Sequence, residues 1–280
     1  MTPRTRGILL GAAVLFISGA FFSILRLFSL PKEPVSAEPS RSAEPIAGTS
    51  REPKVIFAKA EKARIGGSYG QARGLYQETL ELNPDPQTAA AAQERLGEMN
   101  VKILLSPARG EGEAFYTIKP GDTLARIARE HKITLDLLKA ANGLQGDFIR
   151  AGQKLRVPEV SFSVIVDKSQ NTLTLKQKEE IFKVYRCSTG AGGITPTGDF
   201  RIANRLKDPV WKGVVPPGSP GNPLGSRWLG FDLPEYGIHG TNKPETIGQP
   251  VTKGCVRLVN SDVEELFVLL PEGTRVTIME

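Results

Sequence analysis

The sequence predicts a multidomain chain in which a transmembrane helix, a short all-α helical region, a small βααβ unit and a mainly β domain follow one another. Three observations predict this order. Apolar and small residues fill positions 7–25 almost without interruption, positions 54–105 have the composition of helices, and short alternating runs with polar turns begin near position 161. A chain of 280 residues is long enough for two or more modest domains.

Residues 1–30 are predicted to be a membrane anchor or signal segment. Arg4 and Arg6 precede an apolar run that can span a bilayer as a helix, and they predict a cytoplasmic N-terminus. An uncleaved anchor is favoured over a cleaved signal, because the small residues at 35–37 lie far beyond the apolar run. Residues 31–53 are rich in Pro, Ser, Ala and Glu and are predicted to be a disordered linker.

Residues 54–106 are predicted to be helical. Gly66 and Gly67 mark a turn between two helices, and a third helix is expected over 87–105. The segment resembles one tetratricopeptide unit in the placement of its small residues, its aromatic residue and its closing proline, which are Ala60, Ala72, Tyr76 and Pro84. One such unit is usually too small to bury its own apolar face. The region is therefore interpreted as a structural spacer, with docking of a partner as the alternative.

Residues 114–158 are predicted to fold as a strand, two helices and a returning strand. Asp122 or Thr123 can cap the first helix and Thr134 the second, and the segment FYTIKPGDTL leads into the first of them. The whole segment resembles a LysM domain, which implies binding of glycans that contain N-acetylglucosamine. By that resemblance the sugar groove lies between two loops, and the expected contacts are Gly121, Asp122, Thr123 and Ile149. His131 is interpreted as a solvated surface residue.

Residues 161–280 are predicted to form a β-rich domain that begins with three alternating strands, at 162–166, 172–175 and 181–187. Ser261 and Glu264 form a capping box, so a helix is expected over 263–270. The segment 205–237 is long and rich in Pro and Gly. It is interpreted as a flap over a cleft with Trp211 and Trp228 lining a path for a peptide, and a loop packed only for structure has equal weight.

The stretch IHGTNKPETIGQPVTKGCVRLV, at 238–259, carries the candidate chemistry. His239 and Cys255 can act as base and nucleophile, because a thiol attacks only as the thiolate and needs a neighbouring group to ionise it. Arg257, two positions further on, can favour the thiolate or dock a carboxylate. A free Cys is more often a small buried apolar residue, and it is the whole block that favours catalysis. One His and one Cys leave a tetrahedral metal site half filled, so no metal is expected.

The same stretch resembles the active-site signature of the L,D-transpeptidases, the YkuD-like fold, in the elements HGT and TKGCVRL. The resemblance implies acyl transfer from a peptidoglycan tetrapeptide stem through a thioester on Cys255, with no cofactor. It also implies that the carbonyl of Gly240 orients His239 and that the N–H groups of Gly254 and Cys255 stabilise the oxyanion. The expected substrate-binding residues are Thr252, Lys253, Trp211 and Trp228. Cys187 is interpreted as a packing residue and both cysteines as free thiols.

Charge and domain order predict the partners. A net charge of +6 favours polyanionic surroundings, and the absence of a nucleic-acid motif argues against nucleic acid. An anchor, a glycan-binding unit and a peptide-acting domain suit an extracytoplasmic place, the periplasm or cell wall, with peptidoglycan stems and glycan strands as partners. Two alternatives stay open: a hydrolytic L,D-carboxypeptidase, and a non-catalytic wall-binding protein with a degenerate catalytic domain.

Overall fold

The structure, a computed structural model, describes residues 51–107 and 115–280. The predicted membrane segment at 1–30 and residues 31–50 of the predicted linker lie outside the described residues. Within the described ranges, no helix combines the length and the apolar character that crossing a membrane requires. The predicted linker, 31–53, ends one residue too late, since the first helix begins at Pro53. Proline is favoured in the first turn of a helix.

Three helices open the described chain: α1 (Pro53–Ile65), α2 (Tyr69–Glu81) and α3 (Pro86–Leu105). The first turn lies where the sequence predicted it, and Gly67 there has a φ of 77°. Asp85 caps α3 by accepting hydrogen bonds from the N–H groups of Gln87 and Thr88. The three helices share a small core of their own, in which the largest buried side chains are Tyr76 and Met99.

The βααβ unit consists of β1 (Phe115–Thr117), α4 (Leu124–Glu130), α5 (Leu135–Ala140) and β2 (Lys154–Arg156), with the two strands antiparallel. Both predicted caps are present. The Thr123 hydroxyl accepts from the Arg126 N–H at 3.2 Å, and the Thr134 hydroxyl accepts from the Leu137 N–H at 2.8 Å. His131 is exposed, as the sequence predicted.

One eight-stranded sheet dominates the rest of the chain. Its strands are β3 (Phe162–Asp167), β4 (Thr172–Gln177), β5 (Glu180–Arg186), β6 (Gly198–Lys207), β7 (Arg227–Phe231), β8 (Gly237–His239), β9 (Val256–Arg257) and β10 (Arg275–Met279), in the order β5-β4-β3-β10-β6-β7-β8-β9. The pairs β3–β10 and β8–β9 are parallel and the others antiparallel. Helix α6 (Asn260–Leu269) buries Val263 and Leu266 against this sheet.

Two predictions for this domain are wrong. Helix α6 begins at Asn260 with Val259 at the N-cap and no side-chain cap, so Ser261 and Glu264 form no capping box. The helix begins earlier than predicted, at Asn260. The side-chain oxygen of Asn260 accepts hydrogen bonds from the N–H groups of Ser226 and Thr241. The predicted flap is also shorter than 205–237, because β6 and β7 pair with each other and leave only 208–226 as the loop. Trp228 therefore lies on a strand.

The helical region and the βααβ unit both pack on the sheet domain. Helix α3 covers β5, an outer strand of the sheet: the Asn100 side chain donates to the Phe182 carbonyl at 2.8 Å, and a Cβ added at Gly97 would lie 2.7 Å from the Lys183 side chain. Covering an edge strand hides backbone groups that would otherwise pair with other chains. On the other side, the Thr134 hydroxyl donates to the Val268 carbonyl of α6.

Candidate active site

Strands β8 and β9 bring the predicted base and nucleophile to one face of the sheet. His239 is the register partner of Arg257, and Cys255 lies two positions before that arginine, immediately before β9. Register partners on neighbouring strands face the same side, and so do residues two apart on one strand. His239 and Arg257 therefore lie side by side on one face, and the Arg257 charge acts on both His239 and Cys255.

His239 is held as a neutral imidazole. Its side chain is 4% exposed, and its Nδ1 donates to the Gly240 carbonyl at 2.6 Å, which leaves Nε2 without a proton in the neutral ring. Burial lowers the pKa of His239 to about 4, the Gly240 carbonyl works in the opposite direction, and the Arg257 charge lowers the pKa further. The Trp228 ring stacks on the imidazole with centroids 5.8 Å apart. The imidazole is thus free to accept a proton at neutral pH.

Cys255 is half-buried, and its sulfur contacts the Glu235 carbonyl at 3.4 Å. Burial raises the pKa of the Cys255 thiol, while the Gly237 N–H and the Arg257 charge lower it in part. Because the pKa of the thiol is raised and the pKa of His239 is lowered, the resting pair is thiol and imidazole rather than thiolate and imidazolium. Proton transfer then accompanies attack, as in general-base catalysis.

The turn before Cys255 is held by the Thr252 hydroxyl. This hydroxyl donates to the Cys255 carbonyl at 2.7 Å and accepts from the Gly254 N–H at 3.1 Å. Thr252 is buried, so its hydroxyl shapes the turn, and the Gly254 N–H already has an acceptor. The roles of Thr252 in substrate binding and of the Gly254 and Cys255 N–H groups at an oxyanion stay predictions. Lys253 is exposed beside the turn.

Arg257 keeps one donor free inside the site. Its Nη1 donates to the Thr246 hydroxyl at 3.3 Å, whereas its buried Nε has no hydrogen-bond partner. A buried unsatisfied donor costs about 1–3 kcal/mol, and a ligand carboxylate would satisfy it. The Arg257 backbone pairs with Ser188, which joins the glycine-rich segment after β5 to the Cys255 turn.

One part of the loop 208–226 makes contacts within the loop itself, and its end lies near His239. Trp211 is half-buried within the loop, where it pairs with Val215 and lies under the Lys212 ammonium group. The end of the loop reaches the imidazole, since the Leu224 carbonyl is among the groups that raise the pKa of His239. Of the two predicted tryptophans, Trp228 is the one that contacts His239. Its Nε1 donates to the Asn204 side-chain oxygen at 3.0 Å.

Sequence reasoning missed two residues of the site. The Tyr236 ring packs against Gly254, where an added Cβ would lie 2.6 Å from the ring. The Asn260 side-chain oxygen accepts from the Thr241 N–H at 3.0 Å and from the Ser226 N–H at 3.2 Å. Asn260 thereby joins the end of the loop at Ser226 to Thr241, the residue after Gly240, whose carbonyl orients His239. A polar residue at the start of α6, close after Cys255, was the only signal available.

We expect Asn260→Ala to lower kcat/KM about 10-fold, because the N–H groups of Ser226 and Thr241 lose their acceptor and the Gly240 carbonyl shifts relative to the imidazole. Asn260→Asp keeps an acceptor oxygen and should recover most of the loss. The measurement is the pH profile of kcat/KM for both variants, with the melting temperature as a check on folding. An alanine variant that melts earlier yet keeps the wild-type acid limb would show that Asn260 only supports the fold.

Two of the four predicted glycan contacts use their side chains within the protein. Asp122 accepts from the Tyr116 hydroxyl and the Lys119 N–H and pairs with Arg126, and Thr123 caps α4, so both side chains are used in shaping the loop. Gly121 is exposed with a φ of 82°, and Ile149 is half-buried. The loop opposite carries Phe148, which is 77% exposed with the Arg150 guanidinium 5.5 Å from its ring centroid. Phe148 was not predicted.

Cys187 lies at the end of β5, away from any imidazole. It is fully buried, and burial raises the pKa of its thiol to about 12. Both cysteines are free thiols. A deeply buried, protonated thiol is inert, in agreement with the interpretation of Cys187 as packing.

Two sequence models of protein families match the chain. The model described as the L,D-transpeptidase catalytic domain (YkuD) matches residues 161–278, and the model described as the LysM domain matches residues 116–158. These are the two segments in which the resemblances were found.

Individual relatives carry the same name. The chain is 37% identical over 171 residues to the "Putative L,D-transpeptidase YkuD" of Bacillus licheniformis, which covers 58% of this chain and 97% of the relative. It is 40% identical over 171 residues to the protein of the same name from Bacillus subtilis, with the same coverage. Among solved structures it is similar to the catalytic domain of the E. faecium L,D-transpeptidase, at 24% identity over 42% of this chain and 97% of that chain, with a TM-score of 0.36.

Proposed function

This chain belongs to the L,D-transpeptidase family, and from that premise we propose that Cys255 carries the acyl group while His239 moves the proton. The family's reaction is acyl transfer through a cysteine thioester, from a peptidoglycan tetrapeptide stem to an amine acceptor. The observation that supports the assignment is the position of Arg257, which pairs in register with His239 and whose charge acts on both His239 and the Cys255 thiol. Cys187 offers no rival nucleophile, because its thiol is buried and protonated.

The proposed first half-reaction forms the thioester. The Cys255 sulfur attacks the carbonyl of the third stem residue as Nε2 of His239 takes the thiol proton. The bond to the terminal D-alanine then breaks, and the imidazolium returns that proton to the leaving amine. In the second half-reaction the amine of another stem attacks the thioester, His239 removes its proton, and the thiol is restored. The Cys255 N–H would stabilise the oxyanion in both steps, an effect of about 3–4 kcal/mol for one donor.

Arg257 is proposed to hold a substrate carboxylate near the thiol. Its buried Nε has no partner in the described residues, and its charge already acts on both members of the pair. A guanidinium can hold a carboxylate with two parallel hydrogen bonds. Lys253 is proposed to extend this positive surface. Trp211 and Trp228 are proposed to line the path of the peptide, and Trp228 does so beside the His239 imidazole that it contacts.

The LysM domain binds peptidoglycan, and its attachment to the catalytic domain raises the local concentration of stems at the thiol. Phe148 is proposed as the platform on which a sugar ring packs, since it is the large exposed aromatic residue of the groove loop. Gly121 and Ile149 are proposed to border the same groove.

We expect Phe148→Ala to weaken binding to purified glycan strands about 10-fold, because one exposed aromatic contact contributes on the order of 1 kcal/mol or more. Acylation of Cys255 by a small substrate should be unchanged, since the groove lies on another domain. The measurement is co-sedimentation with glycan strands. Phe115→Ala, a change at a second exposed phenylalanine of the same domain, is the matched control, and equal losses in both variants would remove the special role of Phe148.

The two domains indicate a cell-wall or extracytoplasmic role. Attachment to the membrane through residues 1–30, with a cytoplasmic N-terminus, is proposed from the sequence pattern alone. A tetratricopeptide-like character of residues 54–106 is likewise a proposal. A structural role for this region, as a spacer, is supported by the packing of α3 on β5.

A digest of purified wall incubated with the full chain tests the proposed function. Stems joined through the third residue are the expected product. Stems shortened by one residue without joining would identify the hydrolytic L,D-carboxypeptidase instead. Binding to the wall with neither product would leave only the non-catalytic alternative.

A further inference from the structure

A cavity of about 880 Å³ lies between the βααβ unit and the sheet domain. Five permanently cationic side chains line it against a single carboxylate, that of Glu272. The cations come from both domains, and they are Arg129, Lys132, Arg201, Arg205 and Arg275. We call this cavity the basic cleft. Its lining does not include His239 or Cys255, which lie on β8 and just before β9.

Most of this charge is not neutralised by the protein. Arg275 pairs with Asp199 at 3.0 Å, and Arg205 has Asp136 at 3.9 Å. Arg129 and Lys132 make no ion pair in the described part of the chain, and Arg201 donates to the Gly273 carbonyl at 3.0 Å. Arg205 also has a buried Nε without a partner. The five cations therefore exceed the three carboxylates Glu272, Asp199 and Asp136, and a ligand with oxyanion groups would balance the remaining positive charge.

The position of the cleft indicates the source of those oxyanions. Thr123 stands at the start of α4 beside the glycan loop, and Arg129 lies in its last turn on the cleft. Helix α4 has seven residues, so its two ends are about 10 Å apart. An extended four-residue peptide spans about 13 Å. A stem on a glycan strand in the groove can therefore reach the cleft.

The lining of the cleft also fits a peptide. Besides the cations it contains the apolar side chains of Ile133, Leu135, Val160 and Phe162. A peptide offers methyl groups and carboxylates together, whereas a phosphate polymer offers charge without apolar side groups. Sites of this volume with a mixed lining are typical of small-ligand binding.

We propose that the basic cleft binds the carboxylates of peptide stems that are attached to the glycan strand held by the LysM domain. The cleft then acts as an accessory substrate site, which grips a stem that does not react and fixes the strand relative to Cys255. This proposal rests on the proposed function only in its choice of peptidoglycan as the ligand. It requires no catalytic step.

The test compares binding of the full chain, solubilised in detergent, to two forms of glycan strand: one with its stems and one from which an amidase has removed them. All proteins carry Cys255→Ala to prevent turnover. The chain that carries only Cys255→Ala should bind the stem-bearing strand about 10-fold more tightly than the stripped strand, because exposed charge contacts each add a modest part of the affinity. Raising the salt concentration should reduce this advantage.

The substitutions Arg129→Gln and Lys132→Gln together should abolish most of the stem-dependent advantage and leave binding to the stripped strand unchanged. Both residues are exposed, so the fold should persist. The matched control combines Lys59→Gln with Lys178→Gln, two exposed lysines outside the cleft with the same loss of charge. It should keep the advantage.

Three outcomes would overturn the proposal: equal binding of both strands by the chain that carries only Cys255→Ala, an equal loss in the control pair, or displacement by inorganic polyphosphate with no effect of stem removal. The last would assign the cleft to a phosphate polymer. Labelling of Cys255 by a carbapenem is measured separately on chains that retain the thiol. A labelled chain without stem-dependent binding would refute the cleft alone, and stem-dependent binding without labelling would refute the catalytic assignment alone.

Discussion

Cys255→Ala is expected to abolish both joining of wall stems and formation of the acyl-enzyme. The sulfur is the only partly exposed thiol of the described chain, and the Arg257 charge and the Gly237 N–H both act on it. Removing the nucleophile of a covalent mechanism leaves only binding and oxyanion stabilisation, which do not form a thioester. The measurement is the yield of joined stems in a wall digest, with retained glycan binding as evidence that the variant folds.

Cys187→Ala is the matched control for this result. Its thiol is buried beside the sheet, with a pKa raised to about 12 by burial. Removing one buried sulfur should cost about 1–2 kcal/mol of stability through a small cavity, with little loss of rate. If activity fell equally in both variants, the assignment of the nucleophile would be wrong.

His239→Gln is expected to lower kcat/KM by about 10²–10⁴-fold, the usual contribution of a positioned general base. Glutamine keeps a side chain of similar reach, but its amide takes no proton at neutral pH. Burial raises the pKa of the Cys255 thiol, so little thiolate forms at neutral pH without a base to take the proton. Activity of the variant should therefore rise with pH as the thiol ionises by itself. An activity close to that of the wild type at neutral pH would exclude His239 as the base.

The lowered pKa of His239 also predicts two effects of pH on the wild-type chain. The base loses function only when it is protonated, so the acid limb of kcat/KM should lie near pH 4 rather than near 6.5. The folded pKa lies below the unfolded value, so the unfolded state binds the proton first as pH falls. Stability is then fully present above pH 6.5 and declines towards pH 4.

The size of this decline can be isolated with the same variant. A shift from 6.5 to about 4 corresponds to about 3 kcal/mol in the free energy of unfolding. Free energies of unfolding of the wild type and of His239→Gln, obtained from denaturant titrations between pH 7.5 and 4, should diverge by about this amount, while the carboxylates contribute equally to both. Parallel curves would mean that the imidazole has an ordinary pKa.

The local features of the site could be predicted because they lie within one continuous stretch. His239, Cys255 and Arg257 fall within 19 residues of sequence, and their glycine neighbours mark close backbone approaches. The caps Thr123 and Thr134 were also readable, because a cap acts on a backbone N–H three residues away.

Features that depend on contacts between distant segments could not be predicted. The contact between Gly97 and Lys183 joins residues far apart in sequence, so nothing local indicated that α3 covers β5. The use of the Gly254 N–H by Thr252 depends on how one turn closes. The role of Asn260 could not be predicted for a related reason, since its partners Ser226 and Thr241 belong to two other segments of the chain. The boundary of the loop at 208–226 depended on the pairing of β6 with β7, whose exposed face is polar.

Mass spectrometry of the full chain after exposure to a carbapenem tests the central claim most directly, because such a compound acylates the nucleophile of this family and the adduct can be mapped to one residue. The account predicts one adduct, on the peptide that contains Cys255, and none on the peptide that contains Cys187. It also predicts much slower labelling of His239→Gln at neutral pH. An unlabelled chain, or an adduct on any other residue, would contradict it.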